Sequence, residues 1–183
     1  YNFASVDEIR LGLQDETLDF GITLSPVEDD NILWTKLNSS RVMAMMDDSN
    51  PLCKEQELRL HSLRNELFVT TRISKDWEEL SINMCRNSGF EPRIIFSGDD
   101  SDIINFLLLK KKAILLLPEI MVRIMPVPEG MGKNGEALRT ILIKDEWCKF
   151  DYGIAMRRDK IYPEVTQSFI RTVSTRLSSQ NTT

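Results

Sequence analysis

The fold is decided by residues 67–118, which read LFVTTRISKDWEELSINMCRNSGFEPRIIFSGDDSDIINFLLLKKKAILLLP. Three short runs of apolar and β-branched residues predict strands, at residues 67–71, 93–96 and 113–117. Two segments with helical spacing lie between them, at residues 75–87 and 103–111. Strands that alternate with helices through short connections are typical of a parallel sheet flanked by helices. We therefore predict an α/β protein.

The flanking segments extend this architecture. On the amino-terminal side, Ser5 and Glu8 form the pattern of a capping box, which predicts a helix, and a strand follows at residues 18–22. Two extended segments come next, at residues 32–37 and 42–46, and Asn38-Ser39-Ser40 between them predicts a turn. On the carboxyl-terminal side we predict a loop at residues 126–136 and two strands at residues 138–144 and 150–157. A final helix is predicted at residues 162–177.

The composition is that of a globular protein and argues against direct binding of nucleic acid or membrane. The 183 residues are 42% hydrophobic and 28% charged, with a net charge of −5. A nucleic-acid-binding domain usually has a basic face, whereas the only basic run here, Lys110-Lys111-Lys112, is interpreted as a solvated helix end. The longest apolar run, at residues 113–118, is far shorter than the roughly 20 residues of a membrane span. Three widely spaced cysteines favour a reducing compartment, so we expect a cytoplasmic protein without a metal site.

No pattern of catalytic residues stands out. The chain lacks a Gly-x-Ser-x-Gly elbow, a phosphate-binding glycine loop and a His-Glu-x-x-His pair. Adjacent carboxylates at residues 28–30, 47–48 and 99–100 could in principle do acid–base work. All three groups lie in turn-like contexts, where aspartate caps backbone N–H groups. We therefore expect a binding module that uses no cofactor, rather than an enzyme.

Polar residues cluster where predicted strands end. Residues 23–25, 70–74 and 97–101 each follow a strand, and the last two segments precede helices. In open α/β sheets ligands bind outside these strand ends, and N–H groups at helix N-termini favour anions. Helix capping explains each segment taken alone, whereas the three together indicate a small-molecule site. The predicted ligand-binding residues are Thr23, Ser25, Thr70, Thr71, Arg72, Ser74, Ser97, Asp99 and Pro118.

Short motifs in order along the chain resemble the effector domain of LysR-type transcriptional regulators. Residues 5–22, which end in Leu-Asp-Phe-Gly-Ile, are similar to a helix followed by the family's L-D-x-[AG]-I strand. Asn50-Pro51-Leu52 stands where the family usually has His-Pro-Leu. Residues 63–70 resemble the entry to the second lobe, and residues 89–93 resemble a G-[LF]-x-P-x turn. Residues 113–118 resemble the G-[IV]-x-[LF]-[LV]-P segment, and residues 163–170 resemble the last helix. The chain departs from the family where Glu16 and Lys110-Lys111-Lys112 replace glycines.

The resemblance implies two Rossmann-like lobes of the type II periplasmic-binding-protein kind, with an effector bound between them. Lobe I would comprise residues 1–66 and 158–183, and lobe II residues 67–157, with crossovers near residues 63–67 and near Arg157. The family's first strand and helix of lobe I, and its winged helix-turn-helix domain, would precede Tyr1. The protein would meet DNA only through that domain, and effector occupancy would alter how the oligomer holds DNA.

Two other classes of protein share this fold. One is a solute-binding receptor of an uptake system, and the other is an enzyme such as a dehydratase or a phosphoribosyltransferase. The residues encoded before Tyr1 would discriminate best, because a winged helix-turn-helix indicates a regulator and a signal peptide indicates a receptor.

The predicted effector is a carboxylate or an amino-acid-like molecule. Arg72, beside two helix N-termini, would bind a carboxylate, because guanidinium pairs with it through two hydrogen bonds. Asp99 and Asp100 could bind an amine. The alternative is that Arg72 pairs with an acidic residue of the chain itself.

The resemblance also implies a homo-oligomer built from antiparallel, side-by-side dimers. The helix at residues 75–87 has more apolar residues than one buried face needs, which suggests an interface. The alternative is that these residues all belong to the core of the lobe. The predicted interface residues are Tyr1, Phe3, Trp77, Leu80, Met84 and Ile94.

Overall fold

A computed structural model describes residues 4–71, 75–98, 100–124 and 138–178. Its α-helices are α1 Val6–Gln14, α2 Lys75–Asn87, α3 Ser101–Lys110, α4 Glu119–Ile124 and α5 Glu164–Ser178. Its strands are β1 Phe20–Thr23, β2 Ile32–Asp47, β3 Glu57–Leu58, β4 Leu67–Thr70, β5 Arg93–Ser97, β6 Ile114–Pro118, β7 Leu138–Ile143 and β8 Lys149–Arg157. Among these described residues, no helix combines the length and apolar character needed to cross a membrane.

The chain divides into two compact units. The first comprises Tyr1–Ser39 and Phe150–Thr183, and the second comprises Ser40–Lys149. These bounds differ from the predicted lobes, because residues 40–66 belong to the second unit and residues 150–157 to the first. The chain passes from one unit to the other inside β2 and inside β8, not near residues 63–67 and Arg157.

The first unit has a sheet in which β8 lies between β1 and β2. β1 is antiparallel to β8, with Thr23 opposite Gly153. The capping box predicted for α1 is confirmed: the Ser5 hydroxyl oxygen accepts from the Glu8 N–H, and the Glu8 carboxylate accepts from the Ser5 N–H at 2.7 Å. A core cluster of this unit consists of Ile9, Leu13, Val27, Ile32 and Ala155.

The second unit contains the predicted parallel strands. β4 is parallel to β5 and to β6, and α2 and α3 provide the crossovers that parallel pairing requires. β2 is antiparallel to β6 and β7, and β3 pairs in parallel with β7. Gly89 follows α2 with a φ of 87°, which confirms the predicted helix end. A core cluster of this unit consists of Met45, Val69, Ile104, Leu108, Ala113 and Leu115.

The turn predicted at Asn38-Ser39-Ser40 is wrong, because β2 runs unbroken from Ile32 to Asp47. Serine favours turns when its hydroxyl bonds to the backbone nearby. Here the Ser40 hydroxyl does donate to the neighbouring Arg41 carbonyl, at 3.2 Å, but both serines also have partners far away in sequence. The Ser39 hydroxyl donates to Asp151 Oδ1 at 2.7 Å, and Ser40 Oγ accepts from the N–H of Ile120 at 3.2 Å.

Two elements, α4 and β3, are absent from the sequence-based prediction. α4 begins directly after β6, and β3 has only two residues, so neither offers a long periodic pattern. The loop predicted at residues 126–136 lies outside the described residues.

The basic run is more than a solvated helix end, because Lys112 neutralises a buried carboxylate. Its ammonium contacts Asp47 Oδ1 at 2.7 Å and Ser49 Oγ at 2.8 Å. The Asp47 residue is only 2% exposed. Burial raises the pKa of Asp47, but hydrogen bonds from Lys112 and Ser49 outweigh that effect and hold the pKa below its ordinary value.

Candidate functional site

The candidate site lies at one edge of the sheet in the second unit. Because β4, β5 and β6 are parallel, their carboxyl ends at Thr70, Ser97 and Pro118 lie at the same edge. Thr70 is directly opposite Ser97, and the N–H of Gly98 donates to the Thr70 carbonyl at 3.2 Å. Helices α2 and α3 begin shortly after β4 and β5, so two helix N-termini also belong to this edge.

Glu78 brings the two strand-end hydroxyls together. Its Oε1 accepts hydrogen bonds from Thr70 Oγ1 at 2.7 Å and from Ser97 Oγ at 2.5 Å. Glu78 lies in the first turn of α2, where the helix dipole stabilises a negative charge. An ionised carboxylate can only accept hydrogen bonds, so each hydroxyl directs its single proton toward Glu78.

The N-terminus of α3 is capped from within the chain. Asp100 Oδ1 accepts from the N–H groups of Asp102 and Ile103, both at 3.0 Å. This is the usual role of an N-cap aspartate. These two N–H groups are therefore engaged, and an anion could reach them only by displacing Asp100.

A small crevice beside Thr71 belongs to the packing between α2 and the sheet. It measures about 10 Å³, which is about the room for one water, and Trp77 and Cys85 are among its lining residues. Thr71 itself is 5% exposed. Burial raises the pKa of the Cys85 thiol to about 12, so this cysteine is inert at neutral pH. The crevice is too small for an effector.

Thr23 and Ser25, the predicted site residues of the first unit, are joined by an internal hydrogen bond. The Thr23 hydroxyl donates to the Ser25 carbonyl at 2.6 Å and accepts from the Trp34 indole N–H at 2.8 Å. The indole can reach Thr23 because Gly153, opposite Thr23, lacks a side chain. A Cβ on Gly153 would lie 2.4 Å from the Trp34 ring. Thr23 is consequently buried, and its hydroxyl proton already takes part in a hydrogen bond within the first unit.

Two of the predicted interface residues form core instead. Trp77 and Met84 are each 4% exposed, and the Trp77 indole N–H donates to the Leu116 carbonyl at 3.1 Å. Both residues are needed to pack α2 onto the sheet, so they are not available to a partner. Leu80 is half-buried, and Ile94 is 37% exposed on β5, the last strand at its side of the described sheet.

Five predicted residues lie outside the described part of the chain. They are Arg72, Ser74 and Asp99 from the ligand-binding set, and Tyr1 and Phe3 from the interface set.

The model of the LysR substrate binding domain family matches residues 2–178. The match covers nearly the whole chain. The chain belongs to the LysR substrate-binding-domain family.

A curated relative confirms this assignment. The chain is 25% identical over 153 residues to the uncharacterized HTH-type transcriptional regulator YwbI of Bacillus subtilis (strain 168). The match covers 84% of this chain and 48% of YwbI, so the chain spans about half the length of that relative.

Solved structures of LysR proteins share the fold. HinK, a LysR family transcriptional regulator from Pseudomonas aeruginosa, superposes with a TM-score of 0.77 at 13% identity, over 95% of this chain and 57% of HinK. The BenM effector binding domain with its effector benzoate superposes with a TM-score of 0.75 at 17% identity, over 97% of this chain and 77% of that domain. The fold is the mixed α/β, type II periplasmic-binding-protein-like fold of LysR effector-binding domains, as predicted.

Sequence reasoning missed two residues beside the candidate positions of this LysR domain. Glu78 follows Thr70 by eight residues, in the first turn of the next helix, where a carboxylate can turn toward the strand end. This position in the first turn of the helix after a strand is a signal that the sequence does contain. Trp34 gave no local signal, although a glycine inside a predicted strand, such as Gly153, often marks a close approach of another group.

Proposed function

We propose that this chain is the effector-sensing domain of a LysR-type transcriptional regulator. It binds a small molecule, and occupancy changes how a separate winged helix-turn-helix domain of the whole protein holds DNA. The observation that carries this proposal is the family match over residues 2–178, joined to the polar strand ends at Thr70 and Ser97. The solved BenM domain with benzoate supports a small-molecule role for domains of this kind.

The proposed binding residues follow the parallel strands of the second unit. Thr70, Thr71, Ser97 and Pro118 lie at or next to their carboxyl ends, where α/β sheets bind ligands. Arg72, Ser74 and Asp99 follow the same strands in sequence and remain proposed. Ser25 also remains proposed, whereas Thr23 would have to break an internal hydrogen bond to contact a ligand.

A regulatory role is better supported than the two alternatives. The curated relative YwbI is a transcriptional regulator, which does not favour an uptake receptor. We propose no catalytic role, and we place the protein in the cytoplasm, where a regulator meets DNA.

Thermal-shift measurements on this chain with a broad panel of small metabolites test the proposal first. We expect at least one compound to raise Tm, because a ligand that binds only the folded state stabilises it. Ser97→Ala should weaken that compound's binding by about 3- to 10-fold, the effect of one lost hydrogen bond. In a mobility-shift assay with the full-length protein, the same compound should change DNA affinity or the migration of the complex. A stabilising compound that leaves DNA binding unchanged would contradict the regulatory role.

A further inference from the structure

We propose that α3 is a self-association surface, on which a second copy of this chain binds with its own α3 antiparallel to the first. The contact is made by the exposed side of the helix, which consists of Asp102, Ile103, Phe106 and Lys110. This inference goes beyond the proposed function and does not depend on the effector site.

Helix α3 is apolar on more than the side that packs against the sheet. Ile104 and Leu108 are buried in the core cluster of the second unit. Two further large apolar side chains face outward, since Phe106 is 55% exposed and Ile103 is 43% exposed. A helix on the surface of a monomer normally has polar residues on its outer side. Adjacent large apolar side chains in that position therefore indicate a surface that a partner covers.

Asp102, Phe106 and Lys110 form a stripe along this outer side, because they follow one another at intervals of four residues. Asp102 lies in the first turn of α3 and Lys110 in the last turn. Two helical turns, or about 12 Å, separate the two positions, whereas ion pairs within a helix join residues three or four apart. The helix dipole explains a carboxylate at the start and an ammonium at the end, but not the phenylalanine between them.

The stripe is complementary to a second copy of itself. In a twofold dimer with Phe106 on the axis, an antiparallel α3 brings the partner's Lys110 beside Asp102 and the partner's Asp102 beside Lys110. The two phenyl rings meet at the axis, with one ion pair on each side. A parallel arrangement brings like charges together, so the pattern selects the antiparallel one. An ammonium has three donors, so Lys110 can bind this partner in addition to its contacts within the chain.

This surface lies on the opposite face of the sheet from α2. On β4, Thr70 donates to Glu78 of α2, whereas the adjacent Val69 packs in the cluster that contains Ile104 and Leu108 of α3. Adjacent residues of a strand face opposite sides of the sheet, so α2 and α3 cover opposite faces. Association through α3 is therefore independent of the interface predicted on α2.

Charge-reversal variants of this chain test the pairing by sedimentation velocity. Asp102→Lys and Lys110→Asp should each raise the Kd of self-association by at least about 10-fold, because each converts both ion pairs into repulsive pairs. An equimolar mixture of the two variants should recover the native Kd to within about 3-fold. In the mixed dimer one copy has lysine at both positions and the other has aspartate at both, so two attractive pairs form again.

Asp7→Lys is the matched control for charge. It makes the same change in the first turn of α1, in the first unit, and should alter the Kd by less than about 2-fold. A second pair of variants tests the apolar part of the surface. Phe106→Ser should raise the Kd by at least about 10-fold, because two buried rings are lost from the dimer. Ile161→Ser, at a position 93% exposed in the first unit, should leave it unchanged.

Three results would overturn the proposal. One is a native chain that stays monomeric at its highest soluble concentration. Another is a mixture of the two charge variants that associates no better than either variant alone. The third is native-like association of Phe106→Ser, which would show that the copies meet elsewhere. If Asp102→Lys does not fold, Lys110→Asp and Phe106→Ser still decide the question, since native-like association of either variant excludes α3 from the interface.

Discussion

Glu16 and Lys112 are non-glycine residues with positive φ, at 64° and 54°, and both stand where the LysR pattern has glycine. A side chain in this left-handed region costs about 1 kcal/mol or somewhat more. Each residue makes ion pairs that offset the cost. Glu16, whose side chain is 59% exposed, contacts Arg157 at 2.8 Å, whereas Lys112 contacts the buried carboxylate of Asp47. The same backbone conformation is thus stabilised by ion pairs that should contribute different amounts to the free energy of unfolding.

Restoring glycine at these two positions should have different effects. Glu16→Gly relieves strain and loses the ion pair of an exposed carboxylate, worth at most about 1 kcal/mol, while Arg157 keeps its pair with Asp159. The free energy of unfolding should therefore change by less than about 0.5 kcal/mol. Lys112→Gly relieves similar strain but leaves Asp47 buried without its cation, and should lower the free energy of unfolding by about 1–2 kcal/mol. Urea denaturation at neutral pH measures both. Equal losses would show that the burial of Asp47 does not matter.

At the scale of elements, one glycine lets a residue of β2 reach β1 across β8. Trp34 on β2 passes over Gly153 on β8 and donates to Thr23 on β1. The indole thereby ties the three strands of the first unit together at the end of β1. Glycine inside a strand is normally unfavourable, and here its missing side chain provides the space that the indole fills.

Gly153→Ala should destabilise the first unit. The new Cβ would lie 2.4 Å from the Trp34 ring and 2.6 Å from the Thr35 carbonyl oxygen, and the backbone atom cannot move away easily. We expect a loss of about 1–3 kcal/mol of unfolding free energy, the usual cost of overpacking. Gly98→Ala is the control, because its new Cβ would meet only side-chain atoms, the far end of the Phe96 ring at 2.8 Å, and no backbone atom. A smaller loss for Gly153→Ala than for Gly98→Ala in the same urea titration would contradict this account.

At the scale of the whole molecule, β5 is an edge strand of the described sheet and has exposed apolar side chains. It ends the described sheet on one side, and Ile94 and Ile95 are 37% and 42% exposed. An open edge with apolar side chains favours association with another chain. We propose that Leu80 and Ile94, the described members of the predicted interface set that are not buried, contribute to a homo-oligomer.

Ile94→Glu should shift the chain toward the monomer in sedimentation velocity, because a charge on the edge strand opposes pairing with a second copy. Leu33→Glu is the matched control, because Leu33 lies in the first unit and is 43% exposed, and the substitution introduces the same charge. It should leave the oligomeric state unchanged. A native chain that is monomeric at high concentration, or an equal shift in both variants, would remove β5 from the interface.

Local sequence patterns predicted the α/β class, the bounds of α2, and the parallel strands β4, β5 and β6 to within one residue at each end. Apolar periodicity and helix-end signals act over a few residues, so they can be read without knowing which segments later meet. They also placed Thr70 and Ser97 at strand ends, because parallel strands bring those ends to one edge. The direction of their hydroxyl protons could not be predicted in this way, because it depends on Glu78, which lies close to both hydroxyls only in the folded chain. Likewise, the continuity of β2, the burial of Trp77 and Met84, and the pairing of Lys112 with Asp47 depend on groups far away in sequence. Hydrogen bonds and burial are set by neighbours in space, and these neighbours exist only once the chain has folded.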